Sequence, residues 1–432
     1  MKLKFFLILI IFLHADIFYS QTLQWRSLPN SPLGNRLEDI FFINENTGWT
    51  IDYGGKLFHT EDGGNNWDTV FVTSNLRSIG FFDYENGIIG TLSDDTNRIL
   101  FRTTNHGINW SAITNLQSPR IEGICGISIV NENVAYACGK YTIPARIIRT
   151  TDKGLNWTPV IIDNSLVTSL VDCYFWSADS GIVAGGFSNT GNFVGSYSTI
   201  LKTNDGGVTW QRVYLSSRQF EWCWKISYWL GNTGFVSIQR AGSGISNILK
   251  STDFGNQWSE IPFRNYDQQG IGFLNENTGW VGGLTGPTYE TTNGGNEWHL
   301  AGWGINLNRI RFLNDTMAYG AGQRVYKFSN ETVGINNISF EIPDKFYLSQ
   351  NYPNPFNPVT NLEFGISELG FISLKIYNAL GKEVAVLVNE RLAPGSYNYQ
   401  FSADIYQLSS GVYFYRLESG NFVETKRMIL LK

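Results

Sequence analysis

The chain has 432 residues, with 32 basic and 37 acidic side chains giving a net charge of -5 at neutral pH. That length exceeds what one ordinary core serves, so a repeat architecture or several domains is expected; no long basic run exists to neutralise a row of phosphates, which excludes nucleic acid as a partner. Charged residues make up only 16% and aromatics 15%, and 45 glycines are present, a balance that favours short strands joined by tight turns and predicts an all-β protein.

At the N-terminus, Lys2 and Lys4 precede nine apolar residues, Phe5 to Leu13, before His14, Asp16 and Ser20. A membrane-spanning helix needs about 20 apolar residues, so residues 1–20 read as a signal peptide cleaved after Ser20. No later stretch is long and apolar enough to span a bilayer.

An eight-residue box, Ser/Thr-x-Asp/Asn-x-Gly-x-x-Trp, then recurs six times. Its fixed positions are Thr60, Asp62, Gly64 and Trp67; Thr103, Asn105, Gly107 and Trp110; Thr150, Asp152, Gly154 and Trp157; Thr203, Asp205, Gly207 and Trp210; Ser251, Asp253, Gly255 and Trp258; and Thr291, Asn293, Gly295 and Trp298. Successive tryptophans are 40 to 53 residues apart, close to the roughly 40 to 50 of a four-stranded propeller blade. Upstream of each box lie an apolar strand, a turn of the Asn-Glu-Asn-Thr-Gly kind, and two further strands; a fourth strand follows the box. The Asp or Asn oxygen accepts N–H groups of its own turn, Gly supplies a positive φ, and Trp buries a large ring. A seventh unit, Asn308 to Asn330, supplies three strands and stops without a box. LQWRSLP (Leu23 to Pro29) has the pattern of the strand after each box and places Trp25 where the others have theirs. It is expected to complete the last sheet and close a seven-bladed ring over residues 21–330, six blades being the alternative.

Four cysteines lie in this region, none with zinc or redox spacing. Cys125 and Cys138 flank the turn Asn131, Glu132, Asn133 almost symmetrically, which leaves open a disulfide across a hairpin or buried free thiols. In the fifth unit FEWCWKISYW carries Trp222, Trp224 and Trp229 where other first strands have aliphatic residues or Phe. These rings either stack on a ligand or fill space between blades. Arg36, Arg77, Arg120, Arg218, Arg264 and Arg309 fall between blades, as a basic ring around a mouth or as ordinary solvated arginines; with Trp222 and Trp224, Arg218 and Arg264 are the candidate binding residues. Beyond the leader only His59, His106 and His299 remain, too few for a Ser/His/Asp triad or a zinc cluster, so no catalytic residue, metal or cofactor is assigned.

The six boxes resemble the Asp-box repeats of sialidases, sortilin-like receptors and xyloglucan-degrading hydrolases. Together with the NENTGW-type turn they are most similar to propellers related to the photosystem II assembly and stability factor, over about residues 23 to 330. The resemblance implies the fold and no shared activity; the Arg-Ile-Pro signature of sialidases is missing.

Past a linker at residues 331–345, residues 346–432 alternate apolar and polar positions in several strands and predict a small immunoglobulin-like β-sandwich. YPNPFNP (Tyr352 to Pro358), NALGKEV (Asn378 to Val384), GVYFYRLESG (Gly411 to Gly420) and KRMILLK (Lys426 to Lys432) resemble the type A sorting domain of type IX secretion. That resemblance implies recognition by an outer-membrane translocon and a sortase-like protease, and a protein secreted from, or attached to the outer surface of, a Gram-negative bacterium. The expected function is a non-catalytic binding or adhesion module with a protein or glycan ligand; the alternative is a secreted glycoside hydrolase, whose paired carboxylates sequence does not reveal.

Overall fold

The computed structural model describes residues 23–28, 30–140, 142–189, 195–242, 245–263, 267–329, 335–339 and 343–431 save 393, 404, 405 and 407. The signal peptide therefore lies outside the described residues. Among them no helix is present, and the strands form nine four-stranded antiparallel sheets.

Seven of these sheets are built from residues 24–329. In the first six the four strands follow chain order. The seventh takes Arg309–Asn314, Met317–Ala321 and Val325–Ser329, and its fourth strand is Gln24–Ser27, with Trp25 opposite Phe328. The first strands of the blades, Leu37–Phe42, Leu76–Phe81, Gly126–Ile129, Ser169–Phe175, Glu221–Leu230, Gln268–Phe273 and Arg309–Asn314, each pack on the next, and the seventh packs on the first. The ring is thus closed by a strand from the opposite end of the propeller sequence, which removes the exposed edges of an open sheet.

A recurrent aromatic pair cements neighbouring blades. Phe42 stacks on Tyr319 at 3.5 Å, Phe81 on Trp49 at 3.7 Å, Phe175 on Tyr136 at 3.5 Å and Phe273 on Phe235 at 3.4 Å. In each pair the Phe ends a first strand and its partner sits in the second strand of the preceding blade. The glycine of the NENTG-type turn makes this packing work: a Cβ on Gly48 would meet the Phe42 ring at 2.5 Å, and one on Gly279 the Phe273 ring at 2.3 Å. The turn itself is tied by Asn44 Oδ1, which accepts the N–H groups of Asn46 and Thr47 at 2.9 and 2.8 Å.

All six boxes share one hydrogen-bond plan. In the first, the Thr60 hydroxyl accepts the Gly64 N–H at 3.0 Å and donates to Asp62 Oδ1 at 2.9 Å, while Asp62 Oδ1 accepts the Asn66 N–H at 2.9 Å. Trp67 Nε1 donates to the Gly64 carbonyl at 2.9 Å. The hydroxyl and carboxyl or amide bonds recur around Thr103 and Asn105, Thr150 and Asp152, Thr203 and Asp205, Ser251 and Asp253, and Thr291 and Asn293. The hydroxyl, which both accepts the Gly N–H and donates to the carboxyl or amide, is thus the centre of the motif. Gly64 and its five counterparts all have positive φ.

The cysteines follow the second of the two readings that the sequence leaves open. Gly126 is the residue opposite Cys138, so Cys125, one position away, points to the other sheet face. No disulfide joins them; all four thiols are free and buried, and Cys138 lies in the same apolar cluster as Cys173 of the next blade.

The remaining two sheets belong to residues 335–430. One contains Tyr347–Leu348, Val359–Ile366 and Gly395–Ser402, and its edge strand Ile335–Ser339 comes from the segment read as linker. The other contains Gly370–Asn378, Glu383–Leu392, Gly411–Ser419 and Phe422–Leu430. Their shared core includes Phe364, Leu374, Tyr415 and Phe356 of the YPNPFNP motif.

Candidate functional site: the central channel

The seven first strands line a common axis, and six of them are irregular. Pairing with the second strand slips at Leu37/Asp39, Leu76/Ser78, Leu170/Asp172, Cys223/Ile226, Gln268/Ile271 and Phe312/Asn314. Such bulges leave extra residues outside the ladder and re-aim their side chains. Here the polar ones meet across the axis. Glu38 receives Arg36 and Arg77 at 2.7 and 2.6 Å, and Asn308 Nδ2 donates to it at 2.7 Å. Arg36 also donates to Gln269, and Trp224 Nε1 donates to Asn308 Oδ1 at 3.1 Å.

A second layer lies below. Arg309, buried, grips Asp172 through Nη1 and Nη2 at 2.9 and 3.2 Å and lies 3.3 Å from Asp39. Arg311 donates to both oxygens of Asp39, at 3.0 and 2.8 Å. Burial alone would raise the Asp39 pKa, but Arg311 and Arg309 outweigh it and hold the carboxyl at about 2. Lys225 is driven the other way: burial pushes its pKa down to about 8, aided by Arg309 and opposed by Asp172 and Asp39. In this cluster Arg36, Arg77, Lys225, Arg309 and Arg311 face Glu38, Asp39 and Asp172, leaving a surplus of positive charge.

At the end of the channel nearer the boxes the lining turns apolar. A cavity of about 320 Å³ is walled by Ile40, Phe41, Ile79, Ile127, Tyr174, Tyr228 and Phe312, and Asp172, Arg309 and Arg311 reach it. Arg311, whose side chain is 28% exposed, is the cation best placed to meet a ligand there.

Trp222 and Trp224 are buried and pack on Val171 within the channel, so their faces are not open for stacking. Arg218 pairs with buried Glu221 at 2.9 Å, and Arg264 lies outside the described residues. Arg120 donates to the Thr96 carbonyl. Among the described residues the interblade arginines therefore form no free basic ring: Arg36, Arg77 and Arg309 are turned inward and bound to carboxylates because the bulged strands carry those carboxylates beside them. Glu38, Asp39, Asp172, Lys225, Asn308 and Arg311 were not singled out from sequence. Their signal is a charge in the early positions of otherwise apolar first strands, as in LEDIFF, SLVDCYF and RIRFLN. Away from the channel, His59, Glu61 and His106 come together between the first two boxes.

Residues 350–431 match the family model described as secretion system C-terminal sorting domain, and residues 19–169 match that described as photosynthesis system II assembly factor YCF48. The photosystem II stability/assembly factor HCF136 of Arabidopsis thaliana is 24% identical, over 68% of this chain and 75% of that protein. A solved YCF48 bound to a D1 peptide superposes with a TM-score of 0.53 at 18% identity, over 71% of this chain and 97% of that one. A GH74 xyloglucanase from Xanthomonas campestris gives 0.53 at 11% identity, over 80% of this chain and 60% of that one. At these identities the solved structures show the fold alone.

Proposed function

We propose that this chain, a β-propeller related to the photosystem II assembly-factor propellers and joined to a secretion system C-terminal sorting domain, is an exported, non-catalytic module that binds a protein segment at the channel mouth. The carrying observation is the state of the three carboxylates that meet at the channel axis. Glu38, Asp39 and Asp172 are each held by guanidinium groups, and Asp39 is kept ionised down to about pH 2. A glycosidase needs one carboxyl protonated at its working pH and a second free to act as base or nucleophile. An apolar cavity above surplus positive charge suits instead a hydrophobic side chain flanked by an acidic group or a terminal carboxylate. The peptide held by the solved YCF48 supports a peptide-class ligand.

Export follows the sorting domain, with residues 1–20 as the leader, the type IX translocon and sortase as partners of residues 346–432, and the medium or outer cell surface as destination. Peptide display against the purified chain tests the binding reading. Enriched peptides should bind saturably, carry acidic and aromatic residues, and lose binding to the Arg311→Ala and Phe41→Ala variants. Turnover of fluorogenic glycosides, or peptides indifferent to both variants, would overturn it. A reporter fused to residues 346–432 should leave a type IX host and stay in the periplasm of a translocon mutant; retention in both would sink the export route.

A further inference from the structure

His59 is the penultimate residue of the third strand of the first blade, Lys56–Thr60, directly before the box that starts at Thr60, and Glu61 is the second residue of that box. His106 belongs to the second box, in a position where the backbone is left-handed (φ 60°), as at Gly63 and Lys153 of the neighbouring boxes. Two residues 47 positions apart in sequence are therefore delivered to one interblade junction by the repeat itself. Their rings lie 5.0 Å apart, edge to face, with Trp49 against both and Tyr84 stacked on His106 at 3.8 Å.

The hydrogen bonding of this pair is incomplete in a specific way. His106 Nδ1 lies 2.9 Å from the Tyr84 carbonyl, which can only accept, so Nδ1 carries a proton and Nε2 is the nitrogen whose lone pair a neutral ring offers to a ligand. His106 is only 8% exposed, and its Nε2 is buried with no hydrogen-bond partner; the same is true of His59 Nε2. Glu61 Oε1 stands 3.7 Å from His106 Nε2, and one ligand atom from each of the three residues falls within 4.8 Å of the others. Leaving two buried imidazole nitrogens unpartnered costs on the order of 1–3 kcal/mol each, which aromatic packing alone does not explain.

We propose that His59, Glu61 and His106 form a zinc site bridging the first and second blades. Two imidazoles and one carboxylate are the donor set of a zinc ion and not of calcium or magnesium, which take oxygen ligands. Ligand atoms around tetrahedral zinc stand roughly 3.4 Å apart. Glu61 Oε1 and His106 Nε2, 3.7 Å apart, are already close to that spacing, and the Glu61 side chain is 68% exposed and free to adjust. The Tyr84 carbonyl supplies the outer hydrogen bond that fixes the ligating tautomer of a zinc-bound histidine. Three protein ligands leave the fourth position for water.

The test is zinc titration of the full chain after chelator treatment, read by metal content and thermal unfolding. One zinc per chain is expected, with a rise in Tm that magnesium and calcium do not reproduce. His106→Asn keeps a residue that tolerates the left-handed backbone but removes Nε2. It and His59→Gln should lose stoichiometric zinc and the Tm rise. Glu61→Gln, altered at an exposed side chain that cannot unfold the ring, should weaken zinc binding by at least ~tenfold. Failure of the wild-type chain to retain one zinc, or equal retention by the Glu61→Gln and His59→Gln variants, would overturn the site.

Discussion

The rim of the propeller and its axis are built on opposite rules. At the rim, each box closes its side-chain hydroxyl and carboxyl or amide hydrogen bonds within eight residues and ties one backbone N–H to the neighbouring turn, so the same sequence can be used six times with the same result. On the axis, Arg311 reaches Asp39 across 272 residues and Arg309 reaches Asp172 across 137, and no two blades contribute alike. Ion pairs demand opposite signs on facing elements, so a channel of identical strands would repel itself. Repetition thus specifies the scaffold, and departure from repetition marks what the scaffold carries.

Substitutions on the axis should accordingly be far more costly than their counterparts at the rim. Arg309→Ala leaves Asp172 and Asp39 buried beside lost partners and is expected to destabilise by about 3–5 kcal/mol in urea unfolding; a loss below about 1 kcal/mol would mean that the axis contributes no more than a single rim turn. Lys225 gives the next effect, and it depends on pH. Its folded pKa of about 8 lies below the ordinary 10.5, so between these values the unfolded chain binds more protons and stability rises with pH. The penalty is fully present below pH 8 and gone above 10.5. Compared with Lys225→Met, the wild type should therefore gain up to about 3 kcal/mol across that window; parallel stability profiles would show that Asp172 and Asp39 already compensate the buried ammonium. At the rim, Thr150→Val removes both the acceptor for Gly154 N–H and the donor to Asp152. About 1–2 kcal/mol is expected, and much the same for Thr203→Val, since the two turns are equivalent. Unequal values would break the claim that the boxes are interchangeable.

How much was legible from sequence follows the same division. The boxes, the NENTG turns and the N-terminal strand that completes the last sheet all depend on local pattern and spacing, and Gln24–Ser27 does pair with Val325–Ser329. The channel escaped because its residues are displaced by bulges, and no periodicity announces a one-residue slip that turns Glu38 or Arg77 inward. The interblade arginines stand out in the sequence while the carboxylates that bind them lie inside apolar strands, so neither their partners nor their direction can be read from it. His59 and His106 looked unconnected for a related reason: only the superposition of one repeat on the next places them side by side. Ile335–Ser339 has no apolar alternation to mark it as a strand, and it is joined to its sheet edge by backbone pairing with Gly395–Ser402.

The smallest expected effect separates near-symmetry in sequence from register in space. Cys125 and Cys138 flank their turn almost evenly, yet Cys125 N donates to the Cys138 carbonyl while Gly126 takes the position opposite Cys138. Facing side chains in a strand pair share a sheet face, and a shift of one residue puts them on opposite faces. A disulfide closing so short a loop would make reductant cost about 2–3 kcal/mol. With four free thiols, reductant should move stability by less than about 0.5 kcal/mol. Alkylation after denaturation without reductant should add four labels by intact mass. Two labels would place a disulfide in the chain and require the third blade to be paired one residue out of its present register, or Cys138 to be joined to its cluster neighbour Cys173.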